Sequence, residues 1–414
     1  MNKDFFVEKR RQVSESMMDN SILVMFSGNA PHKSADSMYH YTPNRSFYYL
    51  TGLDKPNFIL LVSKLNGEVK ETLFIEKGDP VMEKWEGKRM NTEEAGCISG
   101  IKDISYTGDF VSGLNLLLNR SSFKNAYLNL EQLKWDMQTD ASHKFAKELS
   151  EKHPYLEIRN IYHVLSEMRI IKSAEEIEEI KKAIDITDKG IASMMRNVRP
   201  GMYEYQLQAY FDFELRSAGV MEHAFPSIIA SGINGATLHY EDNNCLIEDN
   251  SLILADLGAQ YGYYCADITR TFPSNGKFTD RQKQVYNIVL RALEETTKAI
   301  KPGVPFVELN KITKRVLAEG CKEIGLIKED SELSRYYYHG VSHYLGLDTH
   351  DVGSRDAVLA PGMVLTVEPG LYIEEEKIGI RIEDDILVTE TGSENLSKQI
   401  IKTVEEIEAF MSRR

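Results

Sequence analysis

Cysteine is scarce in this chain: four residues in 414, at Cys97, Cys245, Cys265 and Cys321. They form no CxxC pair and no zinc-ligand spacing, which excludes a disulfide framework and leaves free thiols of a reducing compartment. No stretch approaches 18 consecutive apolar residues, so no membrane span is expected. The opening residues, MNKDFFVEKRRQVSESM, are charged and contain no apolar core or small-residue cleavage site. They do not read as a signal peptide, and the cytoplasm is the expected location. Basic residues are also in deficit, 49 Lys and Arg against 63 Asp and Glu, for a net charge of -14. That balance argues against nucleic acid or an anionic membrane as the main partner, since both attract basic patches.

What is present is enough chain for two domains. Residues 1–165 alternate helical stretches with the short β-rich runs SILVMF (21–26), FYYLTGL (47–53), FILLVS (58–63), ETLFIE (71–76) and NAYLNL (125–130). The alternation predicts an α/β domain with a mixed sheet. Its histidines, His32, His40, His143, His153 and His163, have no partner at ligand spacing and read as surface or structural groups. At Ser173 the pattern changes. Ser173 and Glu176 have the spacing of a capping box, and Ile177, Ile180, Ala183, Ile184, Thr187 and Ile191 then recur at helical spacing. The boundary therefore falls in 166–172, with a second domain over 166–414.

That second domain repeats itself. Arg199-Pro200-Gly201 and Lys301-Pro302-Gly303 each close one helix and precede another, through Leu207 and Leu215 and through Leu309 and Leu317. The strands LILADLG, with Asp256, and VLTVEPG, with Glu368, repeat in the same order. A duplicated helix-helix-hairpin unit predicts an α+β domain with a pseudo-twofold axis, each half sending one acidic hairpin toward it.

The first hairpin, SLILADLGAQYGYYCADITRTF, carries Asp256 and Asp267 on otherwise apolar strands. A buried carboxylate is costly without a partner of opposite charge. Folded back, the two are expected opposite each other, where cross-strand Cβ atoms lie about 4.5–5.5 Å apart. In GIRIEDDILV, Arg381 and Glu383 share a face by strand alternation. Between the hairpins lies YYYHGVSHYLGLDTHDVG, whose His339, His343 and His350 do not have the HExxH spacing of a helical zinc site. Strand carboxylates gathered in one place would repel unless cations sat between them. Four carboxylates and one imidazole, with a charge of about −4, suit two hard or borderline divalent ions, Mn²⁺ first, with Co²⁺ or Zn²⁺ also fitting. Water between such ions becomes a nucleophile near neutral pH, which points to metal-assisted hydrolysis.

The motifs ATLHY, ADLGAQYGYYCADITRTFP, HGVSHYLGLDTHDVG, TVEPGLYI and GIRIEDD resemble those of the Xaa-Pro aminopeptidases, in the metallopeptidase family with the pita-bread fold. The match runs from about Ser34 to the C-terminus and is densest over 227–388. This resemblance implies five metal ligands, Asp256, Asp267, His343, Glu368 and Glu383, with Asp267 and Glu383 bridging two ions and Glu368 also shuttling a proton. It implies that His350 and His239 bind substrate and stabilise the tetrahedral intermediate, and that His339 lines a proline pocket. By the same resemblance Arg381 pairs with an acid of the first domain, Asp36, and Trp85 is presented to a neighbouring subunit in a homodimer or homotetramer. Methionine aminopeptidases are similar over the catalytic domain but lack a first domain of this size.

The expected substrates are peptides with proline at position two. The bond before proline lacks an N–H, so a dedicated site must recognise the ring instead. The Tyr-rich loop 336–344 is a candidate surface for it. The alternatives are a prolidase confined to Xaa-Pro dipeptides, a non-catalytic pita-bread binding protein, and a creatinase-like amidinohydrolase, which lacks this ligand set.

Overall fold

The computed structural model describes residues 1–413. The chain divides into two compact units, Met1–Met168 and Arg169–Arg414.

In the first unit the apolar run Ser21–Phe26 lies inside a six-stranded sheet. It pairs antiparallel with Ile59–Leu65 on one side and parallel with Asn125–Leu128 on the other. Glu68–Ile75 and Asp103–Tyr106 extend the first side, and Glu157–Asn160 the second, which gives the mixed α/β sheet expected. Helices cover its faces, so this strand is apolar throughout rather than alternating: Ile22 and Val24 pack with Phe110, Leu114 and Leu149.

The aromatic run at 47–53 does not form a strand. It lies in the helix Arg45–Thr51, capped by the Asn44 side chain accepting from the Phe47 amide and ended by Gly52 at φ 68°. The β preference of Phe and Tyr reflects their fit to a packed surface. Here a helix with both ends capped buries Phe47, Tyr48, Tyr49 and Leu50 equally well.

The duplication of the second unit is written in its hydrogen bonds. Ala174–Asn197, opened by the Ser173 capping box, packs on Glu204–Ser217; Asp280–Ala299 packs on Phe306–Glu323. The turns between them use Gly201 at φ 90° and Gly303 at φ 87°. Gly201 N–H donates to Ile247 O at 2.8 Å, and Gly303 N–H to Leu359 O at 2.9 Å. Glu204 N–H donates to Cys245 O and Phe306 N–H to Ala357 O, both at 3.0 Å. Each half then builds a three-stranded antiparallel sheet, Leu252–Leu257 between Ile228–Ser231 and Ile268–Pro273, and Asp384–Val388 between Val364–Val367 and Ser393–Asn395.

The register corrects one expectation. Asp256 pairs with Thr269, so Asp267 lies two positions along the strand rather than directly opposite. The two-residue period keeps both carboxylates on one face. The connection closes through Gly262 and Tyr263, both at positive φ, a tight hairpin turn that Gly makes easy at the first position.

Arg270 ties the hairpins together. Fully buried, its guanidinium donates to Asp384 Oδ1 at 2.7 Å and to the backbone oxygens of Thr269, Glu383, Ile400 and Ile401. Burial alone would raise the Asp384 carboxyl, but Arg270 and Lys402 hold it at about 2. Removing one partner of a buried pair strands the other, so Arg270→Met is expected to cost about 3–5 kcal/mol of unfolding free energy, measured by urea titration. A loss below about 1 kcal/mol would mean that Asp384 is satisfied without it. Because the folded carboxyl titrates below its ordinary value of about 3.9, the stabilisation from this pair is complete above about pH 4 and is lost as pH falls through about 2. The same titration run along an acid series should show this limb, shifted to higher pH in Arg270→Met.

Candidate active site

A cleft of about 670 Å³ in the second unit collects the acidic ends of both hairpins. Asp256 and Asp267 reach it from the first hairpin, Glu368, Arg381 and Glu383 from the second. The irregular segment 336–353 adds His339, His343 and His350, and the segment after Ile228–Ser231 adds His239. Nine of the residues singled out in the sequence therefore line one cavity. The remaining two lie in the first unit: Asp36 in the exposed turn of the ribbon His32–Ser34/Ser37–Met38, and Trp85, 84% exposed, on the short helix Glu83–Glu86.

The acids are packed closely enough to oppose one another's ionisation. Asp267, His343 and Glu383 each offer a ligand atom, all within 4.8 Å of one another. Glu368 Oε1 lies 3.8 Å from His343 Nε2, and Asp267 Oδ2 lies 3.4 Å from the same nitrogen. Burial, then the charge of Asp256, pushes the Asp267 carboxyl well up; burial, then Asp267, does the same to Glu383. Burial raises Glu368 to about 7. Arg381 compensates part of this, with Nη2 donating to Asp256 Oδ2 at 2.5 Å and Nη1 to the Tyr372 hydroxyl at 3.0 Å.

The donor set fits divalent cations. Asp256 Oδ1 and Glu383 Oε1 are buried with no hydrogen-bond partner, although each carboxylate's other oxygen is paired, with Arg381 and with Thr269 Oγ1 respectively. Buried oxygens of that kind are normally satisfied. His343 is oriented in the same sense: its Nδ1–H donates to Tyr344 O at 3.0 Å, which leaves Nε2 as a lone pair facing the acids.

The other imidazoles differ. His339 donates from Nδ1 to Gly340 O and accepts at Nε2 from the Tyr372 hydroxyl, both at 2.8 Å. Burial and the nearby Arg381 push it down to about 4, so it is neutral at pH 7. His350 stands edge-on to His343, ring centroids 4.4 Å apart, and is lowered by burial, then by His343 and His239.

Three features were not anticipated from the sequence. Tyr372 links Arg381 to His339, Thr269 fixes Glu383, and Asp385 accepts from the Asp267 amide at 3.2 Å. Strand alternation in EDD already places Asp385 on the same face as Glu383, a signal available in the sequence. The tyrosines 336–338 do not line the cleft. Their hydroxyls are engaged elsewhere, by Glu375, Asn310 and Ala236 O, and the aromatic wall is Phe225 with the stacked pair Phe306 and Tyr344.

Comparison with known proteins matches residues 178–390 to the model of metallopeptidase family M24 and residues 6–127 to that of the aminopeptidase P N-terminal domain. The Xaa-Pro aminopeptidase of Escherichia coli is 36% identical, the alignment covering 99% of this chain and 98% of that relative. The solved structure of aminopeptidase P from E. coli with the inhibitor Pro-Leu superposes with a TM-score of 0.92 at 35% identity, covering 100% of this chain and 99% of that one. A solved chain from Bacillus anthracis gives 0.98 at 54% identity, with coverage of 100% and 99%. The chain thus belongs to metallopeptidase family M24, with an aminopeptidase P N-terminal domain ahead of a pita-bread catalytic domain.

Proposed function

We propose that this protein is a metal-dependent Xaa-Pro aminopeptidase, releasing the N-terminal residue of peptides that carry proline at position two. The observation that carries this reading is the group of buried Asp267 and Glu383 with half-buried His343, in a chain that aligns end to end with Xaa-Pro aminopeptidases. Those relatives favour it over a dipeptide-restricted prolidase. The retained acids and histidines of the cleft speak against a non-catalytic binding protein.

Asp256, Asp267, His343, Glu368 and Glu383 would hold two divalent ions in this reading. Mn²⁺ suits the oxygen-rich set best, ahead of Co²⁺ or Zn²⁺. Bound there, the ions would supply Lewis acidity and a hydrolytic nucleophile at neutral pH. Glu368 carries the proton from water to the leaving proline nitrogen. His350 and His239 hold the substrate and donate to the charge that develops on the carbonyl oxygen. Neutral His339, held by Tyr372 and Gly340 O, faces the proline ring with the apolar wall of Phe225, Phe306 and Tyr344 nearby. Arg381 keeps Asp256 aimed, through its hydrogen bond to Oδ2. The exposure of Trp85 supports its presentation to a neighbouring copy in a homodimer or homotetramer. Among the described residues no helix is long and apolar enough to cross a membrane, and the cytoplasm remains the proposed location.

Purified protein stripped with a chelator should lose turnover of an Xaa-Pro-Xaa tripeptide and regain it with Mn²⁺. Cleavage restricted to Xaa-Pro dipeptides would refute the aminopeptidase reading. Asp267→Ala should abolish turnover and lower bound metal. His350→Ala should keep its metal while kcat falls about 10²–10³-fold, as for loss of one donor to a developing oxyanion. Metal loss in His350→Ala would instead make that residue a ligand.

A further inference from the structure

His239 stands on a segment with little structure of its own: residues 237–245 belong to no helix or strand. Its position nevertheless matters to the cleft, which it lines together with His339 and His350. One face of the segment is apolar, with Ala236, Leu238 and Tyr240 packed against Ile228, Ala230, Leu254 and Tyr372. Packing of that kind is non-directional and does not by itself fix where a side chain points.

The directional restraint comes from Glu204, at the first turn of the helix Glu204–Ser217. Its carboxylate is fully buried, and no cation pairs with it among the described residues. Oε1 accepts from Ser231 N–H at 2.7 Å, Ser231 Oγ at 2.6 Å and Asn234 Nδ2 at 3.0 Å. Oε2 accepts from the Tyr240 hydroxyl at 2.8 Å and Cys245 N–H at 2.9 Å. All five donors belong to 231–245, and they bracket His239 on both sides. An acid is costly to bury, and here five donors and the positive end of the helix offset that cost. Each oxygen receives one backbone N–H, a donor that cannot reverse. A Gln side chain, whichever way its amide is turned, would set an NH₂ against one of them.

We propose that Glu204 is a positioning residue for His239, holding the segment that presents this imidazole to the substrate. The inference rests on the reading of His239 as a substrate-facing group in Xaa-Pro cleavage. The carboxylate touches no substrate; it acts by fixing the path of 231–245.

The test is a pair of variants measured in two backgrounds. Tyr240→Phe removes one of the five bonds, the one beside His239, and should lower kcat/KM on an Xaa-Pro-Xaa tripeptide about tenfold, chiefly through kcat. Glu204→Gln should lower it about a hundredfold, the scale of a small misplacement of a catalytic group. Bound metal should be unchanged in both. In a His239→Ala background neither change should cost more than about twofold, because the group they position is gone. Losses that multiply in that background would overturn the proposal, as would metal loss in Tyr240→Phe. A second readout is independent of the substrate. In zinc-loaded protein with ¹⁵N-labelled histidine, the ring signal of His239, identified by its absence in His239→Ala, should shift or broaden in Tyr240→Phe. An unmoved signal would overturn the positioning role whatever the enzyme cleaves. A moved signal with no Xaa-Pro turnover in the parent protein would uphold it and refute the activity.

Discussion

Four carboxylates, Asp256, Asp267, Glu368 and Glu383, share one cleft while Arg381 pairs with a single one of them. Desolvation disfavours the charges of Asp267, Glu368 and Glu383, and their acidic neighbours disfavour them further. A polypeptide alone has two remedies, protonation or a further base, and the cleft's second arginine, Arg355, forms no ion pair with these acids among the described residues. Divalent cations are the third remedy. The unpartnered Asp256 Oδ1 and Glu383 Oε1 and the inward lone pair of His343 are arranged for them.

The rest of the catalytic unit serves that arrangement. Duplication delivers acids from two hairpins to one place, which a single hairpin of alternating residues could not do without burying several charges side by side. Arg270, placed behind the cleft, locks the strands of the two hairpins by pairing with Asp384 and capping four backbone oxygens. Neutral groups then set the imidazoles: backbone carbonyls hold Nδ1 of His339 and His343, and Tyr372 donates to Nε2 of His339. The same division runs through the site, with buried ion pairs for the frame and neutral hydrogen bonds for aim.

Much of this was legible in the chain. The Pro-Gly turns and the two acidic strands recur in the same order, and a repeat in sequence became a repeat in hydrogen bonds because turn chemistry at Gly201 and Gly303 is local. Arg381 and Glu383 faced the cleft as strand alternation required. Three readings differ from the structure, each for its own reason. The run 47–53 became a helix because its caps and its packing outweighed aromatic β preference. Of the loop 336–344, Tyr336, Tyr337 and Tyr338 turned from the cleft toward acceptors elsewhere, while Tyr344 lines it. Asp267 fell diagonal to Asp256 because a two-strand ribbon within the connection sets the register.

The sequence by itself determined the ligand types, their order on two related hairpins and the division into two domains, because strand period, Pro-Gly turns and helix caps act over a few residues. Only the tertiary structure decided which oxygen of each acid is left without a partner, which nitrogen of each histidine faces inward, and that Glu204 restrains the segment bearing His239. The acid contacts join residues tens to more than a hundred positions apart, and where the next residue's carbonyl holds an imidazole, as at His339 and His343, only the fold decides what its other nitrogen meets.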